Sequence, residues 1–171
     1  FDRLDSRIGA NISTMRQMGH LDLDSRMGKA PGGYNYSLPE TGVPFIFMNA
    51  VGTQGDIVVM LHECGHAIHS FAIRNIGVSE FKQLPAEIAE LASMSMELIG
   101  LDFLDEVYDN PDDIRRAKRE QILRPITLLP WIASIDSFQL WTHDNPGHTV
   151  QEREAEWEKI FRRFHGDYVS W

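Results

Sequence analysis

The side chains equipped for chemistry sit together in His62-Glu63-Cys64-Gly65-His66. On a helix, His62 and His66 lie one turn apart, separated by about 40° in azimuth and ~6 Å along the axis. Two imidazoles so placed converge on one metal ion and leave positions for a third ligand and a water. Glu63 stands beside them, where it can accept a proton from that water. The spacing points to metal-assisted hydrolysis. A purely structural metal site has no use for such a carboxylate and usually fills all four positions with protein ligands.

The third donor has to come from another part of the chain. His69 falls within about 20° of His62 on the same face, but ~10 Å away along the axis. With metal–nitrogen distances near ~2 Å, one ion cannot serve both, so His69 is expected to pack or to support the site from behind. Better donors lie in the next segment, where Glu87 and Glu90 share a helical face and Glu97 follows two turns after Glu90. Their neighbours Ile88, Ala89, Leu91, Ala92, Met94, Met96 and Leu98 are small or apolar. Carboxylates in such company are expected to face the core and to need a compensating cation. Spacing alone leaves Glu87 and Glu90 open.

The elements that must hold these groups are legible in outline. A long helix is expected from about Asp56 to Arg74, with Asp56 favourable in its first turn and Asn75 to Gly77 ending it. Pro85 suits the first position of the following helix. Upstream, Tyr34 to Leu38 alternates with period two and Val43 to Met48 is an apolar run, with turn residues Pro39 to Gly42 between them. That is a hairpin, with Pro44 at an edge or at the start of a strand. Leu4, Ile8, Ile12 and Met15 give Phe1 to Met18 helical spacing, and Gly19 through Gly33 reads as a polar, glycine-containing stretch. Asn110-Pro111 opens a third helical stretch that Pro125 and Pro130 must kink or break. Thr149 to Glu152 is a capping box for a helix reaching about Phe164.

Cys64 should point about 200° away from His62, toward packing rather than toward the metal. Gly65 costs about 1 kcal/mol relative to alanine inside a helix. Close approach of another backbone would explain it.

Composition narrows the class. With 171 residues, 43% hydrophobic and 24% charged, the chain is one domain's worth of ordinary globular protein. The net charge of -9 argues against nucleic acid or an acidic membrane as partner. A single cysteine excludes an internal disulfide and fits a reducing cytoplasm. No run has the length of a transmembrane helix, and nothing reads as a signal peptide.

Three blocks in order, GKAPGGYNYSLPETGVPFIFMN, DIVVMLHECGHAIHSF and PAEIAELASMSMEL, resemble the oligoendopeptidase F and thimet oligopeptidase family of zinc endopeptidases. The resemblance runs from about Met18 to Leu98 and implies a mainly α fold, with the small β-hairpin or sheet edge next to the motif helix. It implies one zinc ion held by His62, His66 and Glu90, and Glu63 as catalytic base acting on short peptides. Glu90 matches because it precedes Glu97 by the family's interval. Glu87, Glu97 and His69 become candidates for supporting the ligands. Gly32, Gly33 and Tyr34, just before the hairpin, form a candidate shelf for an extended substrate.

Family members are much longer than this chain, which begins at Phe1 and ends at Trp171. We therefore expect a single domain, 1–171, cut from a larger catalytic domain and inclined to self-associate through uncovered apolar surface. The family's oxyanion-stabilising histidine and tyrosines have no matching segment here. His143, His148, His165 and Tyr168 are not assigned that role. The alternative function is a zinc-binding structural or binding module without turnover. A related zinc carboxypeptidase fits the flanking blocks less well.

Overall fold

In a computed structural model, residues 1–166 are described, so Tyr168 lies outside them. The fold is mainly α with one small sheet. Helix α1 (Ser6–Gln17) leads to strands β1 (Leu21–Asp24), β2 (Tyr34–Tyr36) and β3 (Phe45–Ala50), and then to α2 (Gln54–Ile73) and α3 (Ala86–Ile99). The long α4 (Pro111–Asp144) and α5 (Val150–His165) follow, with 3-10 segments at Ser79–Lys82 and Gly100–Glu106. The chain forms two compact units, Phe1–Ile114 and the residues from Arg115 onward.

In the first unit the strand order is β1-β3-β2. The expected hairpin is present as β2 antiparallel to β3, with Asn35 opposite Ile46. Pro44 stands immediately before β3, which pairs on both sides. A proline there removes no ladder hydrogen bond. Strand β1 lies within the polar, glycine-containing stretch from Gly19 to Gly33, to which the sequence assigned no element; Leu21 and Asp22 pair in parallel with Ile46 and Phe47. Ile46 carries the sheet's apolar face onto α2, in a buried cluster with Met15, Val43, Cys64, Ala67 and Phe71.

Helix α2 starts where the sequence places it. Asp56 Oδ2 accepts from the backbone N–H groups of Val51 (3.0 Å) and Thr53 (2.6 Å). These bonds hold its carboxyl below the usual range and fix the helix N-terminus. Pro85 is the cap of α3 rather than its first helical residue, with an extended ψ of 143°. Helix α3 lies along α2.

In the second unit, Trp157 on α5 meets Trp131 and Phe138 on α4 edge-on, with ring centroids 6.1 and 5.1 Å away. The capping box is formed: Thr149 Oγ1 accepts from Glu152 N–H, and the Glu152 carboxylate accepts from Thr149 N–H. Pro125 and Pro130 do not break α4, which runs on through both. Each proline forfeits only one bond, to the carbonyl four residues back. The remaining ladder of a 34-residue helix carries across the gaps.

Candidate metal centre and active site

Helix α2 presents His62 and His66 from consecutive turns, with ring centroids 4.9 Å apart and planes nearly perpendicular. Helix α3 brings Glu90 to them. Its Oε2 is 3.3 Å from His62 Nε2, and its Oε1 is 3.7 Å from His66 Nε2. Tetrahedral coordination with ~2.0–2.1 Å bonds separates ligand atoms by about 3.4 Å. One atom from each of the three residues lies within 4.8 Å of the others, and the donor set (two imidazoles and a carboxylate) suits zinc. The residues fit the ion.

Gly65 is what allows the helices this close. A Cβ on it would stand 2.6 Å from Ser93 Cα and 3.1 Å from the Ala92 carbonyl oxygen. Only hydrogen fits at this crossing, one turn from Glu90 and one residue from His66.

Glu97 reaches across the same junction. Its Oε1 lies 2.7 Å from His62 Nδ1, and the residue is buried. A carboxylate there accepts the Nδ1 proton and leaves Nε2 with its lone pair toward Glu90. The Glu97 bond raises the pKa of His62, against an opposing effect of burial. Burial, reinforced by the charge of His62, lowers that of His66 and favours the neutral ring a metal requires.

Glu63 is buried and takes no place among the three convergent donors. Burial pushes its pKa above the usual carboxylate value; His62 opposes this, Glu90 adds to it, and the backbone N–H of Asn35 on β2 opposes it. Gly33 is close by: a Cβ there would be 3.7 Å from Glu63 Oε1. Thus the edge strand borders the carboxylate, with Gly32 and Gly33 leading into it and Tyr34 stacked on Phe47 (5.0 Å).

Of the three glutamates expected to face the core, only Glu97 does. Glu90 keeps half of its side-chain surface and Glu87 is exposed outside the convergent group. His69 is half-buried and likewise outside it. Cys64 faces the core with no exposure, and burial pushes its thiol up to about 12. Asn35 escaped the sequence reading. Its period-two position predicted a strand, but its pairing opposite Ile46 and its backbone N–H bond to Glu63 appear only in the folded chain.

Residues 8–170 match Peptidase family M3. The chain belongs to that family. It is 33% identical over 79 residues to the chromosomal oligoendopeptidase F of Lactococcus lactis subsp. cremoris, covering 46% of this chain and 13% of that one. Among solved structures, PZ peptidase A with an inhibitor superposes with a TM-score of 0.89 at 30% identity, over 96% of this chain and 29% of the other. A Bacillus anthracis str. Ames protein described as an oligoendopeptidase F gives a TM-score of 0.87 at 29% identity, over 97% and 30%. The chain therefore spans under a third of these relatives' lengths.

Proposed function

We propose that these residues form the metal-binding catalytic core of a zinc endopeptidase acting on short oligopeptides. In this reading His62, His66 and Glu90 hold one zinc ion and Glu63 is the general base. The observation that carries it is the convergence of three ligand atoms from two helices beside a buried carboxylate that is not one of them. Kinship with oligoendopeptidases F supports the substrate class.

Bound zinc supplies Lewis acidity, polarising the scissile carbonyl and acidifying a water. Glu63 accepts the attacking water's proton on its carboxylate and then hands it to the leaving amine. A raised pKa suits this double duty, since the group must both take and release a proton near neutral pH. Glu97 holds the His62 ring in the orientation that ligation needs. The outer edge of β2, entered through Gly32, Gly33 and Tyr34, pairs with an extended peptide through main-chain hydrogen bonds, which suits broad sequence tolerance. We place the activity in the cytoplasm. Among the described residues no helix is long and apolar enough to cross a membrane.

The chain spans only 28–30% of the solved structures it resembles, and this favours a second reading for these residues alone: a zinc-binding module without turnover. Mass-spectrometric detection of cleavage in a mixed oligopeptide pool separates the two. Cleavage by the zinc-loaded chain and not by its Glu63→Gln variant supports the endopeptidase. Zinc binding without cleavage supports the module.

A further inference from the structure

Lys29 is an internal cation, with its side chain only 1% exposed. Its Nζ donates to the backbone carbonyls of Asp22 (3.1 Å), Asp24 (2.8 Å) and Met48 (2.5 Å) and to Asp22 Oδ1 (3.1 Å). It also lies 4.4 Å from the centre of the Phe47 ring. The carbonyls it gathers flank the register irregularity between β1 and β3 at Asp22 and Asp24. Just after Lys29 in the same loop, the carbonyls of Ala30 and Gly32 both accept from Asn49 Nδ2 on β3, each at 2.9 Å. The loop from β1 to β2 is thus stitched to the sheet twice before it becomes the edge strand. Gly32, at φ 100°, then makes the left-handed turn that delivers Gly33. A Cβ on Gly33 would meet Val59 Cγ1 at 3.2 Å, the Phe47 carbonyl at 3.5 Å and Glu63 Oε1 at 3.7 Å.

We infer that Lys29 and Asn49 are positioning residues for peptide hydrolysis: they fix the Gly32–Gly33 main chain against Glu63, so that a peptide laid on the β2 edge meets the base in register. This rests on the peptidase reading above. Burying an ammonium is costly, and an apolar side chain would join the same strands without that cost. What the donors add is a fixed place for specific carbonyls, the requirement of a strand edge that must present its main chain to a substrate. Neither residue touches the reacting atoms.

The test compares the wild-type chain with Asn49→Ala, which removes two hydrogen bonds and leaves the buried lysine in place. Steady-state cleavage of an oligopeptide is measured together with zinc content and mass-spectrometric amide exchange. We expect KM to rise about tenfold with zinc content unchanged, and exchange over residues 30–34 to quicken. A merely structural role lowers stability and the active fraction, hence kcat, and leaves KM where it was. An unchanged KM overturns the positioning role even if the variant melts earlier. A wild-type chain that binds zinc but cleaves nothing supports the module reading for these residues and overturns this role in them, and that outcome is visible before any variant is made.

Discussion

Glu97 Oε1 lies 2.7 Å from His62 Nδ1, joining α3 to the motif helix through a contact that ends on the proposed ligand rather than on the ion. The carboxylate is buried, and it accepts the Nδ1 proton of the ring it holds. Replacing it by glutamine keeps an acceptor and removes the charge. Zinc affinity should fall about tenfold in Glu97→Gln, the lower end of the range for such outer partners. Competition with a metal-sensitive chelator measures it, and an unchanged Kd would show that Glu97 only packs.

Glu90 and Glu87 stand one turn apart on α3, yet only Glu90 reaches both imidazoles. Glu90→Ala should purify with little zinc, and Glu87→Ala with a full complement. Metal analysis of the two proteins decides between them. Full occupancy in Glu90→Ala would transfer the ligand role elsewhere.

Gly65→Ala puts a methyl carbon where Ser93 Cα is 2.6 Å away. The helices must separate, and overpacking of this kind costs roughly 1–3 kcal/mol. Urea denaturation should show that loss. Because Glu90 recedes with α3, zinc should also bind more weakly. A variant as stable as the wild type would mean that the crossing is softer than its geometry implies.

Acid should release the loop after β1. Asp22 accepts from Arg26 at 2.6 and 2.9 Å and from Lys29, and these bonds lower its pKa from 3.8 to about 2. A folded-state pKa below the unfolded one gives stability that is fully present above about pH 4 and is lost as pH falls through 2. The difference in urea midpoint between wild type and Asp22→Asn should therefore be constant above pH 4 and shrink below it. A difference independent of pH would assign the effect to shape rather than charge.

The sequence by itself determined the local features. The four-residue spacing in His62-Glu63-Cys64-Gly65-His66 puts both imidazoles on one helical face whatever surrounds them, because the helix repeat is a property of the backbone. For the same reason the Asp56 and Thr149 starts, the hairpin strands and the inward turn of Cys64 were legible before any fold was known. Gly65 even announced a close backbone, though not whose. Which turn of α3 meets α2 was a different matter. Glu87 and Glu90 share a helical face, so periodicity cannot separate them; the crossing of Gly65 with Ser93 sets the register between helices and selects Glu90. The same crossing buries Glu97 and leaves Glu87 in solvent. Strand β1 was hidden as well, since four residues of Leu-Asp alternation acquire meaning only beside β3, across a connection of some twenty residues. Relations along one element follow from bond geometry, whereas relations between elements follow from packing, and the proposed third ligand belongs to the second kind.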